Sequence, residues 1–289
     1  MSTAVIIPFH HRIDLLEKLL VCIREFRIVI VDDGPSAFDF SSFFSYAHVH
    51  VLRSEGNRGF THAVNLGMEY CRQQGIDLVA IINDDALIYG EDLQKLFRVS
   101  WETKGIVSPV IQTKTPKQKD QYCYGVRVSR WGRVRMLFQE NSEFNALLGV
   151  CLVVPTYFSL DSRFVHGFED IELTYRAKKE GYSVHICTDI VCFHEGGASL
   201  SSKSYQGRRW SVYGHICLFN SYKKIPVITC LSLVDILSEQ CYKTIIQQSI
   251  ATFHGVLDWV CCNSVATRIA SSKAGSNKSR YNTTSRWAS

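Results

Sequence analysis

Continuous apolar runs alternate with amphipathic segments along the first hundred residues of the chain. The runs have the length of buried strands, whereas the segments repeat apolar side chains three and four positions apart, which predicts helices. The predicted strands span 3–9, 27–34, 48–54 and 77–85, and the predicted helices span 15–26, 60–75 and 91–101. Strands that are apolar throughout are buried on both faces, so this order predicts a parallel sheet with helices on both sides. The expected fold class is α/β, with a doubly wound and mostly parallel sheet.

The second half of the chain continues this pattern and then departs from it. Further strands are predicted over 145–155 and 182–193, with a helix between them that begins near Glu169. Apolar residues at helical spacing over 225–262 then predict one or two amphipathic helices. The final residues are polar, basic and rich in Ser and Asn, which is typical of disorder. We expect three parts: a main domain over 1–222, a helical extension over 223–268 and a disordered basic tail over 269–289.

The composition is that of an ordinary globular protein. The chain has 289 residues, of which 46% are hydrophobic and 20% are charged. It lacks a run of eighteen uncharged apolar residues, and its first residues lack the pattern of a signal peptide, so we expect a cytoplasmic protein. Eleven cysteines are scattered without a Cys-x-x-Cys pair, and several fall in apolar runs, which favours reduced and mostly buried thiols.

The net charge of +5 is distributed unevenly. Residues 1–202 hold 21 Lys and Arg against 24 Asp and Glu, a net of −3, whereas residues 203–289 hold 11 against 3, a net of +8. Basic blocks of this kind face phosphates on nucleic acid, on lipid headgroups or on phosphorylated substrates, and they also occur as solvated surfaces.

Two predicted strands end in acidic pairs, Asp32 with Asp33 and Asp84 with Asp85. Acids just beyond a strand are often simple turn formers. In open α/β sheets, however, ligands bind at the carboxyl ends of the strands. Two acidic ends in one sheet therefore suggest a site for a hard divalent cation, because Mg²⁺ and Mn²⁺ take carboxylate oxygens together with substrate phosphates.

A third acidic pair, Glu169 and Asp170, lies in the first turn of a predicted helix. Acids are favoured there because they complement the helix dipole, so the pair alone has an ordinary structural explanation. A catalytic role requires partners from elsewhere in the chain.

The order of these motifs resembles the family 2 inverting glycosyltransferases of the GT-A fold, and in particular members that resemble bacterial rhamnosyltransferases. The resemblance runs from about Val5 to Trp210 and is carried by the stretches VIIPFHHR, VDDGPS, GNRGFTHAVNLGM, INDD, FED and QGRRW. It implies a nucleotide-binding half over about 1–105 and an acceptor-binding half over about 106–222.

The resemblance also implies which residues bind the sugar nucleotide. In the family, the acids of the second-strand motif, here Asp32 and Asp33, hold the nucleobase and ribose. The matching positions that would contact the nucleotide sugar are Pro8, His11, Asn57, Arg58, Asn83, Asp84 and Gly149. Gly149 corresponds to a small residue under the donor sugar. Arg58 is equally compatible with phosphate recognition and with an exposed loop charge.

Mn²⁺ or Mg²⁺ is the cofactor that the resemblance implies. Asp85 would bind the cation directly, and Asp84 would contact either the ribose or the cation. The motif here reads Asn83-Asp84-Asp85 instead of the spaced Asp-x-Asp form, which leaves the division of roles between the two acids open. His194 follows an apolar strand, where a histidine is often structural, but it matches a position that ligates the metal in GT-A enzymes.

The resemblance assigns Asp170 as the general base and Glu169 as a residue that binds or orients the acceptor. A positioned carboxylate is needed because a sugar hydroxyl is a weak nucleophile, and attack opposite the leaving group inverts the anomeric carbon. Gln206, Arg209 and Trp210 match a Gln-x-x-Arg-Trp pattern and are expected to contact the acceptor or the diphosphate.

The sequence thus suggests hexosyl or deoxyhexosyl transfer from a nucleoside-diphosphate sugar to a glycan or lipid-linked acceptor, in glycan or polysaccharide assembly. Its basic C-terminal region suggests peripheral contact with the inner face of a membrane. We expect no nucleic-acid partner, and a homodimer is left open. Two alternatives also remain: a receiver-type, phosphate-responsive binding module, and a GT-A scaffold without catalysis.

Overall fold

The computed structural model describes residues 1–34, 38–41, 48–54, 58–114, 119–129, 134–164, 167–195, 205–223, 253–257 and 259. The predicted tail over 269–289 lies outside these residues, as do Asn57 and most of the predicted extension over 223–268.

The predicted strands and helices occur in the predicted order, but the strands over 86–87, 106–114, 120–123, 126–128 and 134–136 and the helix over 205–223 were not predicted. The strands are β1 Thr3–Phe9, β2 Ile28–Asp32, β3 Val49–Arg53, β4 Leu78–Ile82, β5 Ala86–Leu87, β6 Ile106–Lys114, β7 Asp120–Cys123, β8 Val126–Val128, β9 Val134–Met136, β10 Cys151–Pro155 and β11 Val184–His194. The helices are α1 Ile13–Cys22, α2 Phe60–Gln73, α3 Gly90–Thr103, α4 Glu169–Lys179 and α5 Tyr205–Lys223.

One large sheet organises the described residues, with strand order β3-β2-β1-β4-β10-β6-β11-β5 and β7 paired to β6. The strands β1 to β4 are mutually parallel, as predicted, and β6 is parallel to β11. Between these groups lies β10, which is antiparallel to both β4 and β6. The parallel order with covering helices confirms the predicted α/β class, and β10 joins the two halves of the sheet.

The two faces of the sheet are covered by different helices. Along β1, Val5, Ile7 and Phe9 point into one core, and Ala4 and Ile6 point into the other, because successive side chains of a strand alternate between faces. Helices α1 and α3 cover the first core and contribute Leu16, Leu19, Leu20, Leu93, Leu96 and Phe97. Helices α2 and α4 cover the second core and contribute Ala63, Val64, Met68, Leu173 and Ala177. The doubly wound arrangement therefore follows from strands that are apolar on both faces.

Two predicted elements differ from the observed ones by four residues or more at one end. The first helix ends at Cys22 instead of residue 26, although Ile23 and Phe26 remain buried and reach the core from the following turn. The strand predicted over 145–155 begins only at Cys151. The residues before it make irregular contacts instead, since the Asn145 side chain bonds both the amide and the carbonyl of Val128.

Seven cysteines lie in the described part of the chain, and all seven are free thiols, five of them buried. This confirms the expectation of reduced cysteines for those residues. Burial raises the pKa of the Cys71 thiol to about 12, so that this thiol stays protonated.

Helix α5 joins a third apolar cluster, which also includes residues of β8 and α4. The buried members are Val126, Val128, Ala146, Phe164, Ile171, Tyr213, Cys217 and Leu218. On another side of α5, a Cβ built at Gly255 would lie 2.7 Å from the Arg209 carbonyl oxygen, so the short helix over 253–257 packs closely on α5. None of the helices in the described residues combines the length and apolarity that crossing a bilayer requires.

Candidate functional site

The acids after β4 meet the end of β11. Strand β5 pairs antiparallel with β11, and this register places Ala86 opposite His194. The neighbouring Asp85 therefore lies beside the imidazole, with Nε2 of His194 3.2 Å from Oδ1 of Asp85. The backbone amide of Glu195 also donates to the Asp85 carbonyl oxygen at 3.1 Å. The structure thus brings together Asp85 and His194, which the sequence analysis assigned to one metal site.

Asp84 and Asp85 are adjacent carboxyls in different electrostatic environments. Burial would raise the pKa of Asp85, but the hydrogen bond and charge of His194 bring this pKa below its usual range. Burial raises the pKa of Asp84, and the negative charge of Asp85 adds to the effect. The amide of His10, in the loop after β1, donates to Oδ2 of Asp84 at 3.1 Å. Asp85 is therefore the more readily ionised of the two, which favours it as the direct ligand of a cation.

These residues have the chemistry of a divalent cation site. Carboxylate oxygens and an imidazole suit Mn²⁺, and carboxylates suit Mg²⁺. Oδ1 of the adjacent Asn83 is buried and lacks a hydrogen-bond partner within the described structure, so it can accept a bond from a ligand. Across the described ranges, no three His, Cys, Asp or Glu side chains are close enough together to form a complete protein cage for a metal. The set fits a cation that takes its remaining ligands from substrate phosphates.

Arg12 is a residue of this site that the sequence analysis did not single out. Its guanidinium is 3.3 Å from Oε2 of Glu195 and 3.1 Å from Oδ2 of Asp14. It also contributes to lowering the pKa of Asp85. Arg12 therefore places a positive charge near the cation site and links the loop after β1 to the end of β11. Its only sequence signal was its position at the end of the VIIPFHHR stretch.

The acidic pair Glu169 and Asp170 lies at the start of α4, where two backbone amides hold the Asp170 carboxylate. Oδ2 of Asp170 accepts a hydrogen bond from the Gly149 amide at 2.5 Å, and Oδ1 accepts one from the amide of Ile171 at 2.7 Å. A Cβ built at Gly149 would lie 2.6 Å from Cβ of Asp170. Glycine is therefore required at 149 because Asp170 approaches its backbone so closely. This close approach gives Gly149 a structural role beside the predicted one under the donor sugar.

Two residues just before β10 contact both acidic groups. Gly149 donates its amide to Asp170, and the carbonyl of the next residue, Val150, accepts a hydrogen bond from the amide of Asn83 at 3.0 Å. Asn83 directly precedes Asp84 and Asp85 in the chain. Two consecutive residues therefore contact the start of α4 and the segment that follows β4.

Burial dominates the electrostatics of the pair at the start of α4. It raises the pKa of Glu169 to about 8, and the charge of Asp170 contributes further. Burial also raises the pKa of Asp170 despite the two amide hydrogen bonds that favour its ionised form. The helix dipole favours the ionised form of Asp170 and so lowers its basicity, but burial outweighs that effect. Asp170 is thus a stronger base than an exposed aspartate, while Oε2 of Glu169 is buried without a partner in the described residues.

The raised pKa of Glu169 predicts how stability changes with pH. Between pH 4.5, the ordinary pKa of a glutamate, and about pH 8, the folded state retains a proton that the unfolded state has released. Folding stability therefore falls as the pH rises through this range, and the full penalty applies above it. We expect Glu169→Gln to flatten this slope in urea unfolding measured at several pH values.

The matched control for this prediction is Glu143→Gln, because the Glu143 side chain is 82% exposed and only loosely paired with Arg127. It should leave the pH dependence of the wild type unchanged. A Glu169→Gln slope identical to that of the wild type would show that Glu169 is already ionised at low pH.

The acids after β2 are buried and bonded within the protein. Asp32 is 2% exposed and pairs with Arg53, its Oδ2 lying 2.6 Å from Nη1, and it also accepts the amides of Gly34 and Phe38. Asp33 is 5% exposed and accepts the amides of Arg58 and Gly59, just before α2. Both carboxylates order the loops in which the sequence analysis expects the nucleotide to bind. The sequence analysis missed the ion pair with Arg53.

Other predicted nucleotide contacts lie on the same edge of the sheet. Pro8 is buried in β1 opposite Val31 of β2, and His11 is exposed in the following loop, with its ring 4.9 Å from that of His10. Arg58 donates its backbone amide to Asp33, and its side chain is exposed.

Gln206, Arg209 and Trp210 lie in the first two turns of α5. The indole of Trp210 packs edge-on against Tyr213 at 5.7 Å and belongs to the third apolar cluster. Arg209 lies over the same indole, with its guanidinium carbon 5.8 Å from the ring centroid. The contacts of Trp210 are thus those of a packing residue, and contact with acceptor or diphosphate stays a prediction for all three.

A separate cavity of about 610 Å³ lies on the side of α4 that faces away from Asp170. Its lining is charged and polar, and consists of Ser159, Asp161, Arg163, Glu172, Arg176, Lys179 and Glu180. Arg163 pairs with Asp161 and Arg176 pairs with Glu172, so the charges largely satisfy one another. This cavity contains none of the predicted site residues, and the acidic groups described above remain the candidate site.

Solved structures of other proteins share this fold. Residues 1–349 of TarS from S. aureus, in complex with UDP-GlcNAc, match with a TM-score of 0.57 and 14% identity, covering 90% of this chain and 81% of that chain. The mannosyltransferase PcManGT from Pyrobaculum calidifontis, in complex with GDP-Man and Mn²⁺, matches with a TM-score of 0.53 and 17% identity, covering 94% and 79%. At such identities the similarity shows the fold, and it confirms the predicted GT-A class.

Sequence comparisons identify the family. Agl10 of Haloferax volcanii, a low-salt glycan biosynthesis hexosyltransferase, is 24% identical over 177 residues, which cover 57% of this chain and 58% of that protein. The chain thus spans less than two thirds of the length of this relative. The family model for glycosyl transferase family 2 matches residues 4–158, more than half of the chain, and this range includes both strand-end acidic pairs and Gly149. The chain belongs to glycosyl transferase family 2.

Proposed function

We propose that this chain is an inverting glycosyltransferase that moves a hexosyl or deoxyhexosyl group from a nucleoside-diphosphate sugar to an acceptor hydroxyl. The observation that carries the proposal is the pair of hydrogen bonds made by consecutive residues before β10, from the Gly149 amide to Asp170 and from the Asn83 amide to the Val150 carbonyl. Family membership supports glycosyl transfer in general, and this juxtaposition supports the direct displacement mechanism in particular.

The donor would lie along the edge formed by the loops after β1, β2 and β4. Asp85 and His194 would hold Mn²⁺ or Mg²⁺, with Asp84 beside them contacting either the ribose or the cation, and the cation would supply Lewis-acid stabilisation of the charge on the leaving diphosphate. Arg12 adds a positive charge near the same carboxylates. The buried acids Asp32 and Asp33 order the loops that would contact the nucleobase and ribose.

The acceptor would approach from the side of α4. Asp170 takes the proton of the attacking hydroxyl as the new bond forms at the anomeric carbon and the bond to the diphosphate breaks, so the configuration inverts. The amide of Gly149 fixes Oδ2 in position, and burial gives the carboxyl the raised pKa that a general base needs. Glu169, with its buried Oε2, would bind or orient the acceptor.

Two further assignments belong to this proposal. The acceptor would be a glycan or lipid-linked hydroxyl in glycan or polysaccharide assembly, in keeping with the name of the Haloferax relative. The basic C-terminal region would favour peripheral contact with an anionic membrane surface. A receiver-type function is less compatible with the structure, because phosphorylation of Asp32 or Asp33 would require access to carboxyls that are 2% and 5% exposed.

The proposal is tested by measuring thermal stabilisation with UDP, GDP, ADP, CDP and dTDP, each with and without Mn²⁺. A ligand at about 100 times its Kd raises the free energy of unfolding by roughly 2.7 kcal/mol. We expect at least one nucleoside diphosphate to stabilise the protein in a Mn²⁺-dependent way. If none does so, the donor site is absent and a scaffold role is favoured. Binding without sugar transfer or donor hydrolysis would separate an inactive scaffold from an enzyme.

A further inference from the structure

The residue before the acidic pair of α4 has an unusual backbone conformation. Phe168 has φ of 74° and ψ of −6°, in the left-handed region, and Gly167 before it has φ of 84°. A bulky residue rarely adopts this conformation unless its surroundings impose it. The Phe168 carbonyl accepts the first hydrogen bond of α4, from the amide of Glu172 at 2.8 Å. The conformation of Phe168 therefore sets the direction in which α4 begins.

Helix α5 supplies the surroundings that impose this conformation. A Cβ built at Gly214 would lie 2.5 Å from Cδ2 of Phe168 and 3.3 Å from the carbonyl oxygen of Gly167. The ring of Phe168 also meets the imidazole of His215 edge-on at 4.3 Å. That imidazole is itself oriented, because its Nδ1 donates to the Ser211 carbonyl one turn earlier at 2.8 Å. The Phe168 ring therefore packs so closely against α5 that a methyl group at position 214 would not fit between them.

The same helix also holds the chain before Phe168. The hydroxyl of Tyr213 donates to the carbonyl oxygen of Arg163 at 2.8 Å, and Tyr213 is 3% exposed. Phe164 and Ile171, on either side of the acidic pair, are buried in the cluster to which Tyr213 belongs. Helix α5 therefore contacts the chain both before and after the turn that leads into Glu169 and Asp170.

We propose that α5 fixes the start of α4 through Gly214 and that Phe168 is a positioning residue for the carboxyls of Glu169 and Asp170. This inference rests on the proposed function, because the position of Asp170 affects the reaction only if Asp170 is the general base. Phe168 acts through the backbone, because a change at its φ would move the Asp170 oxygen away from the Gly149 amide. The third apolar cluster thus has a role in addition to stability.

Gly214→Ala tests the proposal, because it inserts one methyl group into the Phe168 ring. We measure Mn²⁺-dependent hydrolysis of UDP-GlcNAc and of GDP-mannose, with water as the acceptor, together with the affinities for UDP and GDP. We expect kcat to fall roughly ten- to hundredfold, as a displacement of about 1 Å can cause, with KM for the donor and nucleotide affinity unchanged. A variant with wild-type kcat, or with kcat and nucleotide affinity reduced in parallel, would overturn the positioning role.

Two further variants separate positioning from general destabilisation. Gly255→Ala is the matched control, because its methyl group would meet Arg209 and Val212 on another side of α5, away from Phe168. It should lower stability while leaving kcat unchanged. In the background of Gly214→Ala, Phe168→Leu should restore much of kcat by making room for the methyl group. If Gly214→Ala fails to fold, Tyr213→Phe removes only the hydrogen bond to Arg163 and should lower kcat in the same selective way.

A readout that does not depend on activity distinguishes failure of this inference from failure of the proposed function. Infrared titration follows protonation of the buried carboxyls, and Glu169→Gln assigns the bands. We expect Gly214→Ala, and not Gly255→Ala, to move the midpoints by about one pH unit, which corresponds to about 1.4 kcal/mol of changed environment. If Gly214→Ala shifts the titration midpoints but the protein neither binds nor hydrolyses a donor, the positioning role of Phe168 stands and the proposed enzymatic function is wrong. If Gly214→Ala leaves the midpoints unshifted and hydrolysis at the wild-type level, the positioning role is wrong and the proposed function stands.

Discussion

Asp170→Asn is expected to lower the rate of sugar transfer by roughly 10²–10⁴-fold, because it removes the group that takes the proton of the attacking hydroxyl. Binding of the nucleoside diphosphate should be nearly unchanged, since the proposed mechanism assigns Asp170 to the acceptor and not to the nucleotide. The measurement is donor turnover at saturating donor, combined with nucleotide affinity.

Asp170→Asn changes hydrogen bonding as well as charge, so the controls must separate lost stability from lost catalysis. Asn has one acceptor oxygen, so one of the two amides that now bond to Asp170, from Gly149 or from Ile171, would lose its partner. Unfolding must therefore be measured alongside turnover. Asp189→Asn, at an exposed position on β11, is the matched control and should leave turnover at the wild-type level. Full activity in Asp170→Asn would remove the assignment of this residue as base.

Asp85→Asn is expected to abolish the Mn²⁺-dependent part of nucleotide binding. Asn keeps an oxygen that can accept a hydrogen bond from His194, but it removes the negative charge that attracts a cation. At nucleotide concentrations of about 100 times the wild-type Kd, most of the roughly 2.7 kcal/mol of stabilisation should disappear. The measurement is thermal or urea unfolding with nucleoside diphosphate, in Mn²⁺ and in a chelator.

Asp92→Asn provides the comparison for Asp85→Asn. Asp92 pairs with Lys95 on the surface of α3, and surface ion pairs contribute little to stability. This variant should respond to Mn²⁺ and nucleotide as the wild type does. If Asp85→Asn retained the full Mn²⁺-dependent shift, the cation would have to be held by other residues, and the metal assignment would be wrong.

The predicted site residues differ in how well the sequence alone described them. Asp85 and His194 were assigned to one metal site from motif order, and the pairing of β5 with β11 brings them into contact. Asp32 was expected to contact nucleotide, and the structure shows in addition that Arg53 and two amides bind it. An ion pair between neighbouring strands depends on their register, which no local sequence pattern specifies.

Apolar periodicity, read from the sequence by itself, determined the class of fold and the order of most elements up to α3, whereas β6 to β9 and α5 were not predicted. This was possible because a strand buried on both faces must be apolar throughout, and because a covering helix must repeat its apolar side chains every three or four residues. The positions of the acids after β2 and β4 and at the start of α4 were also readable, since they follow directly from where those elements begin and end.

Only the tertiary structure decided how the site is assembled. Its main contacts join segments that are distant in the chain. Asp170 approaches Gly149, β10 lies between β4 and β6, and the Phe168 ring packs against Gly214. The raised pKa values of Glu169 and Asp170 likewise come from burial by those segments. Local propensity acts over a few residues, whereas close approach and desolvation depend on which surfaces pack together, and packing exists only in the folded chain.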